Sequence, residues 1–100
     1  MSSPEFDLPT IRRHALRLLS RRAHSHHEME RKLLRHYDRE PVAAVLEDLK
    51  DRNLLDDDAL AEERALMLCR RRLWGPQRIG SDLRRLGISA KIVARAIDRS

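Results

Sequence analysis

Residues 15–49 and 65–99 of this 100-residue chain repeat one another at a constant offset of 50. Identical residues fall at Ala15/Ala65, Leu16/Leu66, Leu18/Leu68, Arg21/Arg71, Arg22/Arg72, Leu33/Leu83, Arg35/Arg85, Ala44/Ala94 and Asp48/Asp98. That is more agreement than a chain rich in Arg and Leu gives by chance. The conservative pairs Met29/Ile79 and Val42/Ile92 fall where a core is expected, and Ser25 lies opposite Gly75 at a helix start. Recurrence of a supersecondary unit at a period in this range is how helical arrays are written. Two independent helical hairpins that match only by composition are the alternative.

Within each unit the apolar spacing is helical. Ile11, Ala15, Leu18 and Leu19 form one stripe, while Arg13, Arg17 and Arg21 lie four apart on another side. Ser25 followed by Glu28 is a capping box that opens a second helix carrying Met29 and Leu33. Pro41 suits the first turn of a third helix, whose buried face is Val42, Val45, Leu46 and Leu49. Asn53 makes a C-terminal stop, and Asp56 caps a fourth helix over 57–72, with Asp57 and Asp58 favourable to its dipole. Gly75-Pro76 breaks that helix and starts a fifth with Ile79, Leu83 and Leu86 on one face; Gly87 ends it, and Ser89 caps a sixth containing Ile92, Val93, Ala96 and Ile97. No strand pattern appears. The expected fold is all-α: elongated tandem three-helix repeats, two repeats and six helices joined by short turns. Residues 1–10, with Pro4 and Pro9, read as a flexible leader, 11–55 as the first repeat and 56–100 as the second.

Aromatic residues are only 3% of the chain and charged residues 37%, so the core must come from Leu, Ile, Val, Ala and Met. Such a core is thin, stability is expected to be marginal, and stacking of the two units is expected to be required. The net charge is +5, but it is banded: +6 over residues 11–36, −6 over 37–66 and +7 over 67–100. This predicts two basic surfaces separated by an acidic one, suited to polyanions such as nucleic acid or an acidic protein groove. Cys69 is alone, so an intramolecular disulfide is impossible and a reducing compartment is expected. No apolar run has the length of a membrane span, and residues 1–10 are acidic and lack a signal-peptide core. The chain reads as a soluble, cytoplasmic monomer.

Chemistry finds little footing. His24, His26 and His27 cluster beside Ser25, but no further Cys/His pair completes a metal site, and side chains next to a cap are usually solvated. Asp56-Asp57-Asp58 lacks the spaced oxygen ligands of a calcium loop and is explained by capping. Cys69 sits in an Arg-rich helix end, but a lowered thiol pKa without a base and an oxyanion site does not make an enzyme. Phosphate-loop and dinucleotide fingerprints are absent. No catalytic residue, metal or cofactor is expected.

The basic constellations are stronger. Arg70-Arg71-Arg72 precedes Trp74, and Arg78 follows one turn into the next helix. The repeat puts Arg21-Arg22 in the equivalent place, with His24 opposite Trp74; Arg84-Arg85 and Arg31-Lys32 with Arg35 form a second matching set. Arginine gives planar, bidentate contacts to phosphates and carboxylates, and an adjacent aromatic stacks on a base or a side chain. With Arg13 and Arg17 these residues make a candidate binding ridge recurring every 50 residues. The bland alternatives are a solvated helical surface for the arginines and a core position at a helix junction for Trp74.

At these residues the chain resembles the RecX family. The run from Ala15 and Leu16 through Arg21, Arg22, His24 and Ser25 to Glu28, Met29, Lys32 and Leu33 is similar to the opening RecX repeat. Val42 to Leu49, then Leu54-Leu55-Asp56-Asp57 with Ala61, resembles the junction into the second repeat, and Arg71, Gly75-Pro76, Arg78-Ile79, Leu83 and Gly87-Ile88 resemble that repeat itself. The resemblance covers residues 11–99. It implies a tandem array of three-helix repeats that binds RecA recombinase, typically as a nucleoprotein filament, and usually inhibits its ATPase, coprotease and strand-exchange activities. Three departures stand out. Leu60 replaces an aromatic, the first repeat has Tyr37 where the second keeps Gly87, and a third repeat usual in the family does not follow. From other classes, the alternatives are a helix-turn-helix-like DNA-binding module acting without RecA, and a purely structural interaction domain.

Overall fold

The computed structural model describes residues 4–99, with side chains from Leu8 onward. These residues form six helices and no strand: α1 (Pro4–Arg21), α2 (His26–Leu34), α3 (Arg39–Asp51), α4 (Asp57–Arg72), α5 (Pro76–Arg85) and α6 (Ala90–Arg99). They divide into two compact units, the first ending at Leu55 and the second beginning at Asp56.

In the first unit α3 packs on both α1 and α2. Its core is Ile11 and Ala15 of α1, Met29 and Leu33 of α2, Val42, Val45, Leu46 and Leu49 of α3, and Leu55. The first helix begins at Pro4 and not at Ile11, so residues 4–10 are helical rather than a flexible leader; residues 1–3 lie outside the described residues. The cause is Leu8, which extends the apolar stripe one turn upstream and packs against this core. Its burial offsets the amide hydrogen bond that Pro9 cannot donate.

The second unit repeats the plan, with α6 packed on α4 and α5. Ala61, Ala65 and Leu68 face Ile79, Leu83, Ile88, Val93 and Ala96. Gly80 permits close approach of α5 and α6: a Cβ there would lie 3.3 Å from Ile97 Cδ1.

The two units match at the offset of 50 through their first two helices, where Ala15/Ala65, Met29/Ile79 and Leu33/Leu83 are buried in both. The third helix is shifted by one further residue. α5 has ten residues against nine in α2. The caps Asp38 and Ser89 therefore correspond, as do the buried pairs Val42/Val93 and Val45/Ala96. The expected core pair Val42/Ile92 is thus corrected to Val42/Val93, with Ile92 only partly buried. Ala44 and Ala94 are both exposed, so their identity at the offset of 50 is no structural equivalence.

Local chemistry sets the helix ends. Gly87 takes φ 82°, with its amide on the Arg84 carbonyl and the Ile88 amide on that of Leu83, closing α5 in a Schellman turn. Asn53, at φ 60°, ends α3 by the same pattern, its amide on Lys50 and that of Leu54 on Leu49. At the start of α2 the capping box is complete: Ser25 Oγ accepts from the Glu28 amide, and Glu28 accepts from the Ser25 amide, each at 3.1 Å. Ser25→Ala is expected to cost about 1 kcal/mol, whereas Ser25→Gly, the residue type the second repeat uses there, costs only a few tenths. Thermal denaturation checks both, with about 4–8 °C of Tm expected for 1 kcal/mol in a unit this small.

Candidate functional site

Every arginine singled out from the sequence is exposed. Arg13, Arg17 and Arg21 lie on α1, with Arg22 just beyond it; Arg31 lies in the last turn of α2, with Arg35 as its C-cap. Arg70, Arg71 and Arg72 form the last turn of α4, and Arg78, Arg84 and Arg85 lie on α5. Cations in a last turn complement the helix dipole, which accounts for part of this placement. It does not require so many of them.

Ion pairing divides the arginines sharply. Arg95 reaches Asp58 at 2.7 Å and Arg99 reaches Glu62 at 3.2 Å, both tying α6 to the acidic start of α4. Asp48 of α3 holds Arg12 at 3.3 Å and Arg52 at 3.2 Å. Asp82 is the partner of Arg64 across α4 and α5, and of Arg85 at 2.9 Å. The Arg64 guanidinium lowers the Asp82 pKa most, against an opposing push from burial, and Arg85 adds to the lowering. Of the candidate residues, Arg22 is paired with Glu28 at 2.9 Å and Arg85 with Asp82. Arg13, Arg17, Arg21, Arg31, Arg35, Arg70, Arg71, Arg72, Arg78 and Arg84 make no ion pair among the described residues. Acidic residues 48, 58, 62 and 82 thus neutralise other arginines, and those left over carry the net positive field.

Trp74 lies at the junction between α4 and α5. It is partly buried against the second core. Its outer face carries Arg78, whose Cζ lies 3.9 Å from the ring centroid, with that of Arg72 at 5.9 Å. These are cation–π distances. On α1, Thr10, Arg13, Leu16, Arg17 and Ser20 line an open depression of about 590 Å³.

Two features escaped the sequence analysis. Leu73 closes α4 in the left-handed region at φ 57° and is 84% exposed, between Arg72 and Trp74. No sequence signal marks it, since Leu is not a residue type that left-handed positions favour. Leu16 and Leu66, identical in the repeat, are 41% and 40% exposed and so lie outside the cores.

His24 also differs from the solvated side chain expected beside a cap: it is 3% exposed. Its Nδ1 lies 3.0 Å from the Arg22 carbonyl and its Nε2 2.8 Å from Lys32 Nζ. A carbonyl only accepts and an ammonium only donates, so the ring is neutral with its proton on Nδ1. Burial lowers its pKa most; the hydrogen bond to the Arg22 carbonyl and the nearby Glu28 push it up, the Arg22 and Lys32 charges push it down, and the balance stays below the ordinary 6.5. The unfolded chain therefore takes up this proton first. The full contribution to stability is present above the ordinary value of about 6.5 and is lost progressively as pH falls below it towards the lowered folded pKa. Melting curves from pH 8 to pH 5 should show a falling Tm, and Lys32→Gln should weaken the dependence. Among the described residues no group of three His, Cys, Asp or Glu side chains converges as a metal site requires. Among the described residues no helix is long and apolar enough to cross a membrane.

Two three-helix domains of one plan, each carrying exposed arginines that make no ion pair among the described residues, define an all-α tandem-repeat protein. The family model for the first three-helix domain of RecX matches residues 12–49, and that for the second three-helix domain matches residues 56–97. The chain belongs to the RecX family of regulatory proteins. The regulatory protein RecX of Chlorobaculum tepidum is 36% identical over 86 residues, covering 85% of this chain and 54% of that protein. Those of Chlorobium limicola and Corynebacterium efficiens are 40% and 34% identical, over 79% and 89% of this chain and 50% and 43% of theirs. The chain thus spans about half the length of the curated relatives it matches. A crystal structure of a regulatory protein RecX shares the fold, with a TM-score of 0.87 at 24% identity, over 96% of this chain and 48% of that one.

Proposed function

We propose that this chain binds RecA recombinase, alone or as its nucleoprotein filament on DNA, and inhibits the recombinase's ATPase, strand-exchange and coprotease activities. It does so in the cytoplasm, by occupying a surface and without chemistry of its own. The observation that carries this reading is that both domains of this RecX-family chain present exposed arginines that make no ion pair among the described residues. Arg21 of the first domain and Arg71 of the second match at the offset of 50; in the second domain Arg71 is joined by Arg70, Arg72 and Arg78. Arginines so placed engage carboxylates of a protein groove, phosphates of the DNA within it, or both.

RecA ATPase on single-stranded DNA, titrated with this chain, tests the reading. A dose-dependent fall in ATP hydrolysis is expected, and an unchanged rate at saturating chain would contradict it. Strong, salt-sensitive binding to DNA without RecA, with no effect on ATPase, would favour the DNA-binding module instead.

A further inference from the structure

Three residues of the described chain outside α1 take a left-handed or otherwise positive φ: Asn53, Leu73 and Gly87. Asn and Gly are the residue types that tolerate this conformation; Leu is not, because its Cβ crowds the following carbonyl. The first repeat meets the same junction with Ala23, which does not enter the left-handed region. Nothing in the second core requires a leucine at 73, since its side chain is 84% exposed and lies outside that core. The amides of Leu73 and Trp74 both turn back to the Leu68 carbonyl, so the backbone is held and the side chain points outward from a fixed base. Arg70, Arg71 and Arg72, all exposed and without an ion pair among the described residues, precede it in the last turn of α4, and the Arg78–Trp74 stack follows it.

We infer that Leu73 is an anchor for a protein partner: an apolar knob that enters a pocket lined by apolar side chains and rimmed by carboxylates. The occupant follows from charge complementarity. A phosphate backbone would use the arginines and gain nothing from an aliphatic side chain, whereas an acidic protein surface with a small apolar hollow uses both. Strained residues that the surrounding structure holds in place gather at binding sites, and the arginines and tryptophan flanking Leu73 are residue types enriched in interface hot spots. The inference rests on the proposed binding to RecA, and it names the feature by which the second domain grips protein in preference to DNA.

Leu73→Asn and Leu73→Met separate the possibilities, measured with fluorescently labelled chain against preformed RecA filaments on single-stranded DNA and, separately, against the same DNA without RecA. Asn suits the left-handed backbone, so Leu73→Asn should raise the Tm by a few degrees while weakening binding to the filament at least tenfold. Leu73→Met, which keeps the apolar knob, should bind within about threefold of the parent. Binding to naked DNA should not change with either variant. Filament binding by Leu73→Asn equal to that of the parent would overturn the anchor and leave the RecA reading standing. A parallel loss of naked-DNA binding would show the patch to be a nucleic-acid surface and overturn it as well. Failure of the parent chain to bind filaments would overturn the RecA reading, and the anchor with it.

Discussion

Leu83→Ala should remove most of the stability of the second domain. Leu83 is fully buried at the centre of the α4–α5–α6 core, among Ala61, Ala65, Ile79 and Val93, several of them small. Truncation of such a leucine costs about 2–5 kcal/mol, the higher values applying where neighbours cannot collapse into the cavity. A three-helix unit of this size holds only about 2–7 kcal/mol in total, at the usual stability per residue. The expected result in urea denaturation followed by circular dichroism is therefore a second domain largely unfolded before denaturant is added. Leu66→Ala, at an exposed leucine on α4, should shift the same curve by less than about 1 kcal/mol. Equal effects at the two positions would contradict the assignment of the core.

Charge reversal on the basic ridge should have the largest effect on binding. Arg71→Glu with Arg78→Glu replaces two exposed cations that make no ion pair among the described residues, so the domain should keep its fold. Truncating an arginine hot spot costs about 2 kcal/mol or more, so the pair, if additive, is expected to weaken binding to RecA filaments by about a thousandfold. Arg95→Glu with Arg99→Glu provides the contrast. Those residues already spend their charge on Asp58 and Glu62, in exposed pairs worth about 0–1 kcal/mol each. That variant should lose a little stability and little binding. If both double variants bound equally well, position on the ridge would count for nothing.

Much of the fold is legible in the sequence because its rules are local. The capping box at Ser25 and Glu28, the Asp56 cap, the stops at Asn53 and Gly87, and Pro76 in the first turn of α5 each depend on a few neighbouring residues. The family membership was legible for the same reason, in the order and spacing of those pieces. What was hidden depends on packing between helices. The start of α1 at Pro4 turns on Leu8 reaching a core made by residues far along the chain. The one-residue shift of the third helix arises from how α5 closes on Gly87, which a constant offset cannot reveal. Burial of His24 needs Lys32 to arrive from the next turn of α2. The candidate arginines are exposed, yet the sequence does not say which cations are spent internally. Arg95 and Asp58 are 37 residues apart, and only the packing of α6 on α4 brings them together. Leu73 was silent because no pattern announces a leucine in a left-handed turn.

Co-sedimentation with RecA filaments, assembled on single-stranded DNA with a non-hydrolysable ATP analogue, tests the central claim most directly. The chain is expected to pellet with the filament and to remain in solution with DNA alone at the same salt, and Arg71→Glu with Arg78→Glu should return it to the supernatant. A parent chain that stays in the supernatant with filaments present would contradict the account.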